Sequence, residues 1–464
     1  MRNFILITSI VLAIGLGYFA TTAAPKHIII GFAAILISIL AFLSPKASLF
    51  LLIFSMLLSP EISLGALTAS RDIVFRYDDI LLVIIFFSWF ARTAIMKDKS
   101  FVMNTPAQTP ILIFTIICVV STAFGILRGD VNYLKSFFYV LKYVEYFLLY
   151  FMVVNIVETE EDIKKYLYCF AIVAIIVTIY ALFYYYMSPG HFVRASAPFE
   201  APFGMPEDSE PASLGGYYLI LFSIFIGMIS EGSLRLARNS LIMIAVMFPA
   251  FLFTFSRASY IGLVAAVIAF FIFSKKRKVF MTGLLIVGFI AVTLIPGVYG
   301  KVKDRITMTY QGVYANVVFD MGSTGQIKLE QSAALRIYSL KKVVFQKLPK
   351  HPFLGWGVTG IGMGDVQYAL LLGEIGLIGF FIFFWMIYRI YRASKDIYLK
   401  YDEGWIKGFS LGMILALVAL LAQGVGVNTF IIVRIMEPFW FLVALMMVLF
   451  RNKDKSGNNN KVLV

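Results

Sequence analysis

Four arginines and one aspartate stand where polar residues are scarce. Arg257 lies in "FTFSRASYIGL", pinned between two apolar runs with almost no loop. Arg336 lies in "SAALRIYSLKKVV", Arg194 in "HFVRASAPFEAPFG" and Arg76 in "ASRDIVFRYDDI". A guanidinium donates two parallel hydrogen bonds in a planar fork and stays charged, so several of them converging would suit a phosphate or diphosphate. Asp365 closes the glycine-rich stretch "HPFLGWGVTGIGMGD", directly before a long apolar run. A carboxylate in a poorly solvated vestibule tends to hold its proton more tightly, which suits it to take a proton from a hydroxyl near neutral pH. Aspartate is equally at home as a helix N-cap, and both roles are compatible. Tyr368 and Gln367 follow within one turn, Glu374 lies further into the same run, and His351 precedes the glycines. These four are candidates for substrate contact.

The elements that must position these groups are membrane helices. Of 464 residues, 60% are hydrophobic and 14% charged, against roughly one-quarter charged in an ordinary soluble domain. Apolar runs long enough to cross about 30 Å of hydrocarbon recur from end to end. Fourteen spans are predicted, near 4–20, 27–43, 48–58, 79–96, 110–126, 136–154, 166–187, 213–230, 239–255, 258–274, 279–297, 366–390, 405–427 and 434–450. The first is read as a retained span rather than a cleaved signal, because another follows at once. Continuous apolarity over such lengths means helices, since lipid offers open strands no partner. Cys118 and Cys169 each sit inside an apolar run and suggest neither a disulfide nor a metal site.

Basic loops set the orientation. "SKKRK" (274–278), the segment 388–407 and the tail 451–461 all fall on the cytoplasmic side if both termini are inside. The predicted organisation is a bundle of about eleven spans over 1–297, an outer loop over 298–365, the last three spans over 366–450 and a cytoplasmic tail over 451–464. Between Lys301 and Lys350 the loop holds nine Lys or Arg against three acids, a net +6 on the side where positive charge is not expected. Longer loops partly escape that rule; the other reading is an anionic ligand on the outer face. Within the loop, "SAALRIYSLKKVVFQKLP" reads as an interfacial amphipathic helix. Gly355, Gly357, Gly360, Gly362 and Gly364 read as a flexible hinge whose backbone approaches a ligand closely. No strand precedes it and no Lys-Ser or Lys-Thr closes it, which excludes a nucleotide loop.

Taken in order, "RYDDILLVI" (76–84), "FSRASYIGL" (255–263) and the block from "LRIYSLKKVV" through "HPFLGWGVTG" to "DVQYALLLGEIGLIGF" resemble the O-antigen ligase and Wzy-type polysaccharide polymerase superfamily. The resemblance implies an all-α polytopic fold of about 12–14 membrane helices, similar to the GT-C class. It implies a metal- and cofactor-independent glycosyltransferase of the bacterial inner membrane with its active site toward the periplasm. The implied donor is a glycan on a polyisoprenyl diphosphate and the implied acceptor a sugar hydroxyl. Chain-length regulators or other polysaccharide-assembly proteins are the expected protein partners, and nucleic acid is not. On this reading Arg257 and Arg336 act with Asp365 in catalysis, while Arg194, Arg76, Tyr368, Gln367, His351 and Glu374 bind substrate. The ligase branch carries a His and a polar neighbour upstream of its closing Gly-x-x-Gly pair. Gly376 and Gly379 match that pair, but Asp365 and Val366 stand where the His and its neighbour would be. That departure favours glycan polymerisation over ligation onto a lipid A core. A transporter or flippase for an anionic solute or lipid is the alternative from another class, and no internal repeat supports it.

Overall fold

The computed structural model describes residues 25–63, 74–96, 103–188, 193–200, 210–294, 298–308, 317–320, 326–362 and 366–462. Ten apolar helices come first: α1 (Pro25–Leu43), α2 (Pro45–Leu58), α3 (Tyr77–Met96), α4 (Gln108–Leu127), α5 (Tyr133–Ile156), α6 (Glu160–Met187), α7 (Pro211–Glu231), α8 (Leu234–Phe253), α9 (Arg257–Phe273) and α10 (Lys278–Leu294). A polar stretch follows, with α11 (Val298–Thr307), α12 (Gln331–Lys342) and a π-helical turn at Val343–Lys347. Three helices close the bundle: α13 (Gln367–Lys400), α14 (Gly404–Gln423) and α15 (Val433–Val462). Two short antiparallel hairpins punctuate the helices. One pairs β1 (Glu61–Ser63) with β2 (Val74–Arg76), the other β3 (Val317–Asp320) with β4 (Gln326–Leu329).

Every predicted span from 27–43 onward is a helix, and the run at 4–20 lies outside the described residues. Among the described residues nine helices are long and apolar enough to cross a membrane, and α2 and α9 are shorter apolar helices. The chain is an all-α polytopic membrane protein. Its large exposed apolar side chains, such as Phe87 and Phe90 on α3 and Ile172 and Ile179 on α6, belong on a lipid-facing surface.

Helices α7, α14 and α15 form the centre. Small residues let α7 and α14 touch backbone to backbone. A Cβ on Gly227 would lie 2.1 Å from the carbonyl oxygen of Gly408, and one on Gly412 would lie 2.5 Å from the Cα of Ile224. Gly408 and Gly412 are four residues apart, the spacing that opens one face of a membrane helix to close approach. Helix α13 is broken at Gly376, whose φ of 66° and ψ of −167° no helix allows. Its freed backbone groups need partners inside the bundle, and the glycine-rich segment supplies them.

Candidate active site

The turn between α8 and α9 is held by its own side chains. Thr254 Oγ1 donates to the carbonyl of Phe251 at 2.7 Å, and Phe255 takes a left-handed φ of 46°. A non-glycine residue held there costs on the order of 1–3 kcal/mol. Ser256 is the N-cap of α9: its side chain accepts from the N–H of Ser259 at 3.3 Å. The hydroxyl of Ser259 donates to Ser256 Oγ at 2.8 Å, and Tyr260 Oη donates to the carbonyl of Leu252 at 2.5 Å. This bonded turn leaves Arg257 as the first residue of α9, half-buried.

From that position Arg257 Nη1 meets Glu330 Oε2 at 2.5 Å, with the two side chains 17% and 16% exposed. Glu330 follows β4 and is the N-cap residue of α12. The pair therefore ties the start of a membrane helix to the polar segment. Arg194 joins the same field. The loop carrying it is held to the end of α8 by the N–H of Ala195, which donates to the carbonyl of Phe253 at 2.9 Å. Burial, then the Arg257 guanidinium, push the pKa of Arg194 below its usual value, while Glu330 opposes them. Among the described residues, two guanidinium groups close enough to repel share this partly dehydrated place with the carboxylate of Glu330. Such a place favours an anion with more than one negative charge. Arg336, half-buried, lies six residues along from Glu330, a rise of roughly 9 Å on the same helix.

The remaining predicted residues take other positions. Arg76 does not join this group. It is 3% exposed, pairs with Asp78 at 2.5 Å and donates to the carbonyl of Met56 at 2.6 Å. Gln367 is fully buried, its Oε1 accepting from the N–H of Phe430 at 2.9 Å. Tyr368 Oη donates to the carbonyl of Leu421 at 2.5 Å. Glu374 Oε1 accepts from the N–H of Thr359 at 2.7 Å. His351 packs its ring edge-on to Trp356 at 4.5 Å between centroids. Partial burial, followed by the charge of Arg128, holds the His351 imidazole below its ordinary pKa. Asp365 and Gly364 lie outside the described residues.

The expected hinge is instead a clamp. The N–H groups of Trp356 and Gly357 donate to the carbonyls of Gly373 and Glu374, each at 2.9 Å, and Leu377 donates back to Pro352 at 2.8 Å. These bonds satisfy the groups freed at the Gly376 break. Gly355 and Gly357 have φ of 70° and 90°, and a Cβ on Gly355 would lie 2.5 Å from the carbonyl oxygen of Glu374. Gly355 and Gly357 thus approach the chain's own backbone. Helix α4 locks the far side: Ser121 Oγ donates to the carbonyl of Glu374 at 2.7 Å, and Arg128 Nη2 to that of Gly355 at 2.9 Å. Lys347 sits 3.9 Å from the centre of the Trp356 ring, which fixes the end of the α12 segment to the same clamp.

The structure is thus a polytopic helical bundle with Arg257 at the start of one membrane helix and Arg194 on a loop tied to the end of the helix before it. Residues 242–384 match the family model described as O-Antigen ligase, and this match supports the O-antigen ligase/Wzy-type superfamily for the chain and glycan transfer of that general type. The matched segment contains Arg257, Glu330, Arg336 and the clamp, whereas Arg76 and Arg194 lie before it. No curated protein matches the chain.

Glu330 is the residue that reading the sequence passes over. It counts there only as one of three acids in a basic segment. The signal was its place directly before the amphipathic helix, where an acid ordinarily caps; its side chain makes no cap bond.

Proposed function

We propose that the protein is a glycan polymerase. It transfers a lipid-linked oligosaccharide from a polyisoprenyl diphosphate carrier to a sugar hydroxyl on the outer face of a bacterial inner membrane. The observation that carries this reading is the grouping of Arg194 and Arg257 around the carboxylate of Glu330, inside and beside the segment that matches the family. In the reaction the bond from the anomeric carbon to the phosphate oxygen breaks, and its electron pair leaves with the diphosphate. Arg257 and Arg194 stabilise that growing charge, and Arg336 approaches from α12. The acceptor oxygen bonds to the anomeric carbon from the opposite side, inverting its configuration. Its proton passes to Asp365. The domain division follows: 298–365 is the outer loop, and the bundles on either side hold the lipid tail.

The test is transfer by purified protein supplied with polyprenyl-diphosphate-linked oligosaccharide, beside Asp365→Asn and Arg257→Ala. The expected result is a ladder of longer lipid-linked glycans, with at least about a hundredfold loss in each variant. Asp365→Asn at near-native rate removes the base assignment. A single capping of a lipid A core acceptor, with no ladder, makes the protein a ligase. No transfer to any glycan acceptor by folded protein overturns glycosyl transfer.

A further inference from the structure

We infer that Glu330 is a displaceable counter-anion: its carboxylate holds the guanidinium of Arg257 in the place a donor diphosphate takes, and donor arrival releases it. The inference rests on the arginine site proposed above. Its first support is direction. Glu330 stands at the N-terminus of α12, where its side chain makes no cap bond to its own helix. A carboxylate there is ordinarily drawn to the helix N–H groups. This one reaches across to Arg257 Nη1 at 2.5 Å.

The second support is charge. Glu330 supplies one negative charge to a field that contains both Arg257 and Arg194. A sugar diphosphate diester supplies two and offers several oxygens to two planar forks. It therefore balances the pair better than a single carboxylate. Once it is seated, Glu330 becomes a like charge in a poorly solvated place and is driven out.

The third support is position. Glu330 is the junction between β4 and α12, and Arg336 rides on α12. The far end of that segment is fixed by Lys347 and Trp356 to the clamp around α13. Releasing Glu330 from Arg257 thus removes one tie at the near end of α12 while the far end stays anchored. The donor would reposition Arg336 by removing the contact that competes for Arg257. Glu330 is on this account a positioning residue that touches Arg257, not a catalytic one.

The experiment measures binding of geranyl diphosphate to the full-length protein in phosphatidylcholine nanodiscs at fixed ionic strength. Glu330→Gln should bind about tenfold more tightly than the native protein, since removing one competing ion pair is on the order of 1.4 kcal/mol. Glu330→Asp keeps the charge one methylene shorter and should fall between them. Adding Arg257→Ala to Glu330→Gln should erase the gain. Equal or weaker binding by Glu330→Gln, with binding still lost in Arg257→Ala, overturns the counter-anion and leaves the arginine site standing. Binding indifferent to Arg257 overturns both. Should Glu330→Gln elute as aggregate, Glu330→Asp decides: affinity no higher than native overturns the inference.

Discussion

Two regions of this molecule join arginine to carboxylate, and they differ in burial and in the charges around them. In the first, Arg76 pairs with Asp78, and Lys142 pairs with Asp79 and Glu145. Glu437 is 1% exposed, and one oxygen from each of Asp78, Asp79 and Glu437 lies within 4.8 Å of the others. Nearby, Arg434 is 2% exposed and donates to the backbone carbonyls of Leu57 and Phe199 at 2.9 and 2.7 Å. Acids are plentiful here, and the cations are committed to them or to backbone. In the second region, among the described residues, Arg194 and Arg257 share the carboxylate of Glu330, and Arg257 and Glu330 each keep about a sixth of their side chain exposed. On the function proposed above, charge balance and access separate a lock between helices from a site for an anion. Residue type alone does not.

The largest effect that could break the comparison is in the lock. Arg76→Ala leaves Asp78, itself 1% exposed, without its guanidinium. Removing one partner of a buried pair typically costs about 3–5 kcal/mol, so the variant should melt far lower or fail to insert. Thermal unfolding of detergent-purified protein checks this. Melting unchanged from native would mean that the network is no lock. The next effect is in the site. Arg257→Lys keeps the charge but loses the fork, and should lower transfer by about a hundredfold while melting within a few degrees of native. Near-native transfer by the lysine variant would reduce Arg257 to a point charge or a lipid anchor.

Much of this arrangement was legible in the sequence, because lipid enforces it. Runs such as "LLVIIFFSWF" and "LALVALLAQ" have one stable outcome in hydrocarbon, so the described spans appear where apolarity places them. The Ser256–Arg257 turn was legible for the same reason: two apolar runs with no loop between them leave a charged residue one location. What the sequence could not convey is partner choice. "RYDD" and "FSRAS" look alike as charges near a membrane edge, yet only the packing of α2, α3, α5 and α15 gives Arg76 to an interior acid. The glycine segment misleads for a related reason. Glycine permits close approach without saying to what, and here the approach is to the backbone broken at Gly376, more than ten residues further along the chain. Glu330 stayed hidden because an ion pair spanning 73 residues leaves no local trace.

One loop joins the two regions and provides a smaller, sharper test. It carries Arg194 toward Arg257 at one end, and at the other the carbonyl of Phe199 accepts from Arg434. Glu200 stands next to it, accepting from Ser213 and from the N–H of Ala197 at 3.1 Å. Burial raises its pKa to about 7, even though Arg434 and the Ser213 bond pull it down. A folded-state value above the unfolded one, which is about 4.3, means that the unfolded chain gives up this proton first as pH rises. The folded state therefore gains nothing from ionisation between those values. Stability is fully present below about pH 4.3 and falls as pH climbs toward 7. Allowing for its partial exposure, the loss should be about 1–2 kcal/mol. Glu200→Gln cannot ionise, so its melting temperature should decline less than that of the native protein between pH 5 and pH 8. If the two decline in parallel, Glu200 is already ionised at pH 5. Arg434 would then hold it as a member of the lock, and the boundary between the two regions would move to Arg194.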